Sequence, residues 1–162
     1  IDCSPNTQRN ASATFDLPEP LGPTIAVTAA GNSNTVVLPN DLNPERPTMF
    51  HLKADEFIKQ LDSKYNGILF DPPYSNRQIK EVYESVGLPF TFEDGQALFQ
   101  EEKKLVAPKI KTGGIAICCG WNSGGFGKNL GFEMLEILLV PHGGAHHDTI
   151  VTVERKITYE LF

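Results

Sequence analysis

The sequence has no apolar run of membrane-spanning length, few cysteines and no excess of positive charge. The missing apolar run, together with 40% hydrophobic and 21% charged residues, predicts a soluble globular protein. Lys and Arg number 14 against 20 Asp and Glu, which gives a net charge of -6. That charge argues against tight, unaided binding to nucleic acid, because phosphate contacts require Lys or Arg.

The cysteines match no metal-binding or redox spacing. Cys3 stands alone, whereas Cys118 and Cys119 are neighbours, whose side chains would point to opposite faces of a strand. The chain also opens without a charged and then apolar leader. We therefore expect a reduced, cytoplasmic setting.

A metal site is not predicted either. Three histidines and an aspartate fall within residues 142–148, but their spacing matches no standard zinc site, and consecutive residues rarely coordinate one ion. A polar turn is the favoured interpretation, in which His142 contacts a substrate.

With 162 residues the chain has the length of one domain, and a second domain has no room. Residues 1–23 are rich in Pro, Asn, Ser and Thr without periodicity, which predicts an irregular N-terminal segment. Two β-rich runs at 24–30 and 35–38 predict a hairpin. The alternative, Gly31 in a cofactor-binding loop, needs a crossover helix that the four intervening residues cannot supply.

The stretch 67–75 is the strongest local feature. Its apolar run predicts a buried strand that stops at Asp71-Pro72-Pro73-Tyr74. Because the residue before each proline is held out of the helical region, this turn should be extended and stiff. A stiff turn can aim a carboxylate and a carbonyl at one small group. The alternative is a Pro-Pro turn with a surface tyrosine.

Acidic residues follow two earlier elements. Asp41 follows the run 35–38, and Asp55 follows a predicted strand at 49–52, where a helix begins. Ligands bind beyond the carboxyl ends of strands in open α/β sheets, so these two residues and Asp71 would face one crevice. Simple turn chemistry at Asp41 and a helix cap at Asp55 are the alternatives.

Periodicity predicts the remaining elements. Helical spacing indicates helices over 76–86 and from 91 to about 104, the second with a partial capping pattern at Thr91 and Asp94. Gly113 and Gly114 predict a turn. It leads into an apolar strand, and a terminal pair of strands follows; the three predicted strands are 115–119, 132–140 and 148–154.

A glycine-rich loop occupies residues 120–129. Trp121 could stack on a base and Lys128 could meet a phosphate, although a tryptophan packed beneath the loop is an equal alternative. The one basic cluster predicts a solvated helix face in preference to a phosphate-facing patch; it comprises Lys103, Lys104, Lys109 and Lys111.

Several of these features together resemble a known family. Asp71-Pro72-Pro73-Tyr74, the acidic positions, the Gly113-Gly114 strand and the His142-Gly143-Gly144 hairpin are similar to small phage and bacterial DNA methyltransferases specific for adenine N6. The resemblance covers about residues 35–157. It implies a three-layer, Rossmann-like class I methyltransferase sheet, mostly parallel with an antiparallel C-terminal hairpin, in a single domain spanning 1–162.

The resemblance also implies a reaction. A methyl group would pass from S-adenosylmethionine to the N6 amine of an adenine that has left the DNA duplex. Asp71 and the Pro72 carbonyl would orient the amine, Pro73 would keep the turn rigid, and Tyr74 would stack on the base.

Further contacts follow from the same resemblance. The implied cofactor contacts come from Asp41, Asn43, Asp55 and Asp71. The implied substrate contacts come from Tyr74, Trp121, Asn122, Lys128 and His142. DNA is the expected partner, either single-stranded or presented with the help of a partner subunit.

Two departures from the family keep alternatives open. The glycine-rich first motif is not recognisable, and Ile1-Asp2-Cys3 is interpreted as the end of its strand, with the rest upstream or altered. No target-recognition domain is expected either, because the sequence length leaves no room for one. The alternatives are methylation of an RNA base or a glutamine amide, and a non-catalytic, methyltransferase-like binding subunit.

Overall fold

The computed structural model describes residues 24–31, 34–62, 64–91, 99–144 and 147–157. Several predictions fall wholly or partly outside these ranges: the irregular segment 1–23, the tip of the first hairpin, the first half of the helix predicted from 91 with its capping pattern at Asp94, and the middle of the histidine-rich turn 142–148.

Six strands form one sheet in the order β2-β1-β3-β4-β6-β5. Their bounds are β1 Thr24–Gly31, β2 Asn34–Asn40, β3 Tyr65–Asp71, β4 Ile110–Gly120, β5 Phe132–Val140 and β6 Thr149–Lys156. The predicted strand at 67–70 and both predicted hairpins are confirmed. The strand predicted at 115–119 is longer than expected, because Gly113 and Gly114 lie inside β4 and do not form a turn before it.

The prediction of a mostly parallel sheet is wrong. Only β3 and β4 pair in parallel, and the other four strand pairs are antiparallel. The physical reason is the length of the connections. The β1–β2 and β5–β6 links are too short for the crossovers that parallel neighbours require. The described residues thus form a mixed sheet with helices packed against it.

Four strands still run in one direction, despite the antiparallel pairings. β1 is antiparallel to both β2 and β3, and β6 is antiparallel to both β4 and β5. Since β3 and β4 are parallel, strands β2, β3, β4 and β5 all end at the same side of the sheet, called here the carboxyl edge. Asp41 and Asp71 therefore lie at one edge, as predicted.

Three α-helices lie in the described part of the chain: α1 Ala54–Gln60, α2 Asn76–Ser85 and α3 Gln100–Val106. Short 3₁₀ turns follow at Ala107–Lys109 and Lys128–Leu130. α2 confirms the helix predicted over 76–86. α3 is the described part of the helix predicted to start near Thr91, and residues 92–98 lie outside the description.

The core lies on one face of the sheet. In β3 the side chain of Phe70 is fully buried, whereas the neighbouring Leu69, which points to the other face, is 39% exposed. Phe57, Val82 and Val106, one from each helix, belong to the same buried cluster as Phe70. Among the described residues the helices thus cover one face of the sheet. A third layer, of helices on the other face, stays a prediction.

The segment 49–52 departs from the prediction. It forms no strand, and Phe50 makes only an isolated bridge with Asn40. Asp55 is neither at a strand end nor a helix cap. It lies inside the first turn of α1, whose N-cap is Lys53, and it pairs with Lys59 across one helical turn at 2.7 Å. Proximity to Lys59 explains the position of this carboxylate without any ligand.

No helix in the described ranges is long and apolar enough to cross a membrane.

Candidate functional site

The turn after β3 is fixed by the helix that follows it. Ser75 caps α2 by accepting a hydrogen bond from the Gln78 backbone N–H at 3.3 Å. Gln78 returns the contact, because its Oε1 accepts the Tyr74 backbone N–H at 2.8 Å. Pro72 and Pro73 restrict the backbone just before this point. Both ends of the turn are therefore constrained, as the two prolines predict.

Asp71 and Tyr74 are joined at the carboxyl edge. The Tyr74 hydroxyl donates a hydrogen bond of 2.7 Å to Asp71 Oδ1. Burial raises the pKa of Asp71 above the usual range of aspartate, and the hydrogen bond from Tyr74 opposes that rise. Burial, with the nearby Asp71 charge, also raises the pKa of Tyr74. No salt bridge joins Asp71 to a cation among the described residues. The Asp71 charge therefore lacks the compensation that a structural ion pair would give.

A chain of hydroxyl contacts continues from Tyr74 to β6. The Thr149 side chain is close enough to Tyr74 to influence the pKa of its hydroxyl. His142 Nε2 lies 3.0 Å from the Thr149 hydroxyl, and the His142 backbone N–H donates to Asp148 at 3.1 Å. His142 is thus linked to the Tyr74 side of the site through Thr149, and a direct contact of His142 with a substrate stays a prediction.

Cys119 lies beside Asp71 on the neighbouring strand. Phe70 is paired with Cys118, so Asp71 and Cys119 are the next residues on each of the two strands. Burial and the Asp71 carboxylate raise the pKa of Cys119 to about 12. A raised pKa favours the protonated thiol at neutral pH.

A small pocket, called here the Tyr74 pocket, opens beside this turn. Its volume is about 80 Å³, and its walls include Pro72, Pro73 and Tyr74 on one side and Trp121 and Asn122 on the other. Asp71 does not line it directly but bonds to the tyrosine that does. Trp121 is half-exposed, and its ring centroid lies 5.9 Å from that of Tyr74 and 4.8 Å from that of His147. Trp121 is therefore not packed beneath the loop.

The loop that carries Trp121 is held from below by two buried charged residues. Glu154 of β6 has no exposed surface, and its two carboxylate oxygens accept the backbone N–H groups of Phe126 at 2.6 Å and Gly127 at 2.8 Å. Lys103 of α3 donates to the Gly125 carbonyl at 2.8 Å. A Cβ atom on Gly125 would lie 2.2 Å from Glu154, so only glycine fits there.

Lys103 also corrects the prediction of a basic cluster on one solvated helix face. Its side chain is buried, with Nζ 5.9 Å from the Phe70 ring centre and 5.8 Å from that of Phe126. The other three lysines make separate contacts: Lys104 with Glu101, Lys109 with the Leu61 carbonyl, and Lys111 with Asn66.

Asp41 lies at the same edge, on the other side of Asp71. Asn40 and Phe70 both pair with Ile25, so Asp41 and Asp71 flank the start of β1. Two strand spacings separate them, about 10 Å. Asp41 is buried and accepts the Asn43 backbone N–H at 2.8 Å, which is the turn chemistry that the sequence left as an alternative. Neither cavity described here includes Asp41, Asn43 or Asp55 in its walls.

Some site residues were missed from the sequence. Gln78 carries a readable signal, because Ser75 with glutamine three residues on is a capping pattern. Thr149, Lys103 and Glu154 carry none. Their roles depend on strand pairing and loop packing between residues 22 to 75 positions apart.

A metal ion has no ligand cluster in the described ranges, where no three His, Cys, Asp or Glu side chains are close enough to hold one.

No family model and no curated protein matches the sequence. Among solved structures, TrmN from Thermus thermophilus is similar, at 17% sequence identity and a TM-score of 0.46. The match covers 73% of this chain and 35% of the other, so the chain spans about a third of the length of that protein. A likeness this weak does not place the chain in a family.

Proposed function

We propose that the chain transfers a methyl group from S-adenosylmethionine to the N6 amine of adenine in DNA. One observation carries the proposal. A largely buried aspartate, hydrogen-bonded to a tyrosine and without an ion-pair partner among the described residues, directly precedes the proline wall of a pocket at the carboxyl edge. This is the edge at which open α/β sheets bind ligands.

Asp71 and Pro72 supply the two acceptors that the amine needs. An exocyclic amine is a poor nucleophile, because its lone pair is delocalised into the ring. One Asp71 oxygen accepts the Tyr74 hydroxyl, which leaves the second oxygen to accept an amine hydrogen. The Pro72 carbonyl accepts the other hydrogen. With both hydrogens held, the lone pair localises on nitrogen, and the proton lost after transfer passes to water.

Tyr74 and Trp121 form the apolar part of the pocket. Their rings meet edge to face at 5.9 Å, an arrangement that can open to admit a flat base between or beside them. Stacking on such rings contributes about 1–3 kcal/mol per base and offsets the cost of removing the base from its duplex.

The residues on the β2 side of Asp71 fit the nucleoside half of the cofactor. Asp41 is a buried carboxylate at the carboxyl edge, suited to accept ribose hydroxyls, and Asn43 follows in the same turn. The strand order puts Asp41 on one side of Asp71 and the Tyr74 pocket on the other. Asp71 can therefore face cofactor and base together. When bound, S-adenosylmethionine supplies the electrophilic methyl group.

A labelled-methyl assay with matched variants tests the proposal. The protein is incubated with labelled S-adenosylmethionine and single-stranded DNA, and Asp71→Ala is compared with Asp55→Ala. We expect Asp71→Ala to lower transfer by at least about 100-fold, as the loss of a positioned catalytic group does. Asp55→Ala removes an exposed carboxylate that pairs with Lys59, and its activity should equal that of the wild type. Full activity in Asp71→Ala would remove Asp71 from its role.

The same assay separates the alternatives. RNA and protein acceptors are tested in parallel. Label that appears only in RNA would identify an RNA base as the acceptor, and label that appears only in protein would identify a glutamine amide. Calorimetry with S-adenosylmethionine covers the remaining case. The absence of both binding and transfer would favour a methyltransferase-like binding subunit.

A further inference from the structure

A second, larger cavity adjoins the Tyr74 pocket. This loop groove has a volume of about 460 Å³ and runs between the start of α3 and the glycine-rich loop. That volume lies within the range of ligand-binding pockets. The groove and the Tyr74 pocket share four wall residues: Gln100, Lys103, Asn122 and Gly125. A molecule that fills the pocket can therefore extend into the groove.

The groove is lined by donors. Its polar side chains carry two ammonium groups and three carboxamides, from Lys103, Lys128, Gln100, Asn122 and Asn129. No carboxylate lines it among the described residues. Glu154 lies behind the loop, and both its oxygens are engaged by backbone N–H groups. In the described part of the chain, the charged side chains that line the groove are thus both lysines, on a chain whose net charge is -6.

Lys103 is the unusual member of this set. It is buried, donates to the neutral Gly125 carbonyl and lies close to the Cys118 side chain, and no salt bridge pairs it with a carboxylate in the described part of the chain. Burial of an ammonium group is costly unless an anion or several acceptors compensate it. An anion bound in the groove would supply that compensation.

We propose that the loop groove binds the phosphodiester next to the target base, held by Lys103 and Lys128. The inference rests on the proposed function. A base in the Tyr74 pocket leaves its sugar and phosphates at the shared wall, where the ammonium groups and the amides of Gln100 and Asn122 meet them. Contacts of this kind position a strand without reading its sequence.

Salt-dependent binding tests the inference. Affinity for a labelled, single-stranded DNA oligonucleotide is measured by fluorescence anisotropy over a range of salt concentrations. For single strands each lysine that contacts a phosphate contributes about 0.7 to the slope of log K against log salt. Lys128→Gln and Lys103→Met should each lower the slope by about that amount. Lys80→Gln, at an exposed position on α2 that pairs with Glu84, is the matched control and should leave the slope unchanged.

An uncharged phosphate analogue in the oligonucleotide identifies which phosphate the lysines contact. One methylphosphonate is moved along the oligonucleotide, which removes one phosphate charge at a time. We expect wild-type affinity to fall at a linkage adjoining the target adenine, and the same linkage to have a smaller effect in Lys128→Gln, where only Lys103 still contacts that phosphate. If Lys103→Met does not fold, Lys128→Gln alone decides, since Lys128 is exposed.

The outcomes separate this inference from the proposed function. Wild-type slopes in both lysine variants overturn the groove assignment, even where Asp71-dependent transfer is observed. A lysine-dependent slope without methyl transfer supports the groove and removes the enzymatic role. An RNA oligonucleotide of the same sequence is run in parallel, and a slope change with RNA alone still supports a phosphodiester contact but assigns it to RNA.

Discussion

Asp71 is a carboxylate whose surroundings favour its protonated form. Burial raises its pKa, and the hydrogen bond from the Tyr74 hydroxyl acts in the opposite direction. Because the folded-state pKa lies above the unfolded value, protonation favours the folded state. The stability that Asp71 contributes is present at low pH and is lost as the pH rises through the folded pKa.

The pH dependence of transfer should report this environment. Only the ionised Asp71 has both oxygens available as acceptors, so we expect transfer to fall at acidic pH with a midpoint above the ordinary value of 3.8. Tyr74→Phe removes the hydrogen bond that lowers the pKa of Asp71. Its acidic limb should therefore lie at higher pH than in the wild type, in addition to any loss of rate.

Tyr65, on the same strand as Asp71, provides the control for that pH profile. Tyr65→Phe changes a buried residue at the start of β3, far along the strand from Asp71. Its midpoint should match the wild type. Identical acidic limbs in wild type and Tyr74→Phe would show that the Tyr74 hydroxyl does not tune Asp71.

At the scale of elements, the loop between β4 and β5 owes its position to other parts of the chain. α3 contributes Lys103 and β6 contributes Glu154, and both contact the segment 125–127. Three glycines with positive φ, Gly125, Gly127 and Gly131, let the backbone make this turn. Trp121 directly follows β4 and lies beside Tyr74, whereas the supports from α3 and β6 act further along the loop.

Glu154→Gln should loosen this loop. A glutamine offers one acceptor where two backbone N–H groups need partners, so a buried donor is left unpaired, at a cost of about 1–3 kcal/mol. Trp121 is the only tryptophan of the chain, and its fluorescence reports the loop directly. We expect greater quenching by acrylamide and weaker oligonucleotide binding in Glu154→Gln.

Glu133→Gln is the matched change for that experiment. Glu133 lies on β5 and forms a half-exposed ion pair with Arg155 at 3.5 Å, a kind of contact that contributes little to stability. Glu133→Gln should leave the acrylamide quenching of Trp121 fluorescence unchanged. Equal quenching and stability in Glu154→Gln and the wild type would contradict the anchoring role of Glu154.

How much of the site could be predicted depends on whether its contacts are local. The Asp71 to Tyr74 turn was predictable, because prolines restrict the backbone wherever they occur. The placement of Asp55 after a strand was wrong, because residues 49–52 form no strand and Asp55 lies in the first turn of a helix, where the helix dipole and Lys59 both favour an acidic residue. Lys103 was misassigned because burial of a lysine depends on residues far away in the sequence.

At the scale of the whole molecule, strand existence was easier to predict than strand direction. β-branched and apolar runs identified the strands, but the direction of pairing depends on connections. The link between β1 and β2 is short, which forces antiparallel pairing and places β1 between β2 and β3. β2 and β3 still end at the same carboxyl edge, because both are antiparallel to β1 and therefore run in the same direction.

The one-sided core predicts an asymmetry between neighbouring residues of β3. Phe70 is fully buried beneath the helices, so Phe70→Ala should lower the free energy of unfolding by about 3–5 kcal/mol. Leu69 points to the other face and is 39% exposed, so Leu69→Ala should cost at most about 1.5 kcal/mol. Urea denaturation of the two variants measures both values. Equal losses would mean that both faces are buried to the same extent.

One part of the glycine-rich loop is anchored by hydrogen bonds and another part is exposed, and this difference can be used in protein engineering. Lys103 and Glu154 hydrogen-bond to positions 125–127, whereas residues 121–124 are exposed and take no part in those hydrogen bonds. The exposed part could be randomised, for example at Asn122 and Ser123, while the scaffold beneath keeps its melting behaviour. Acceptor preference could then be redesigned without repacking the interior.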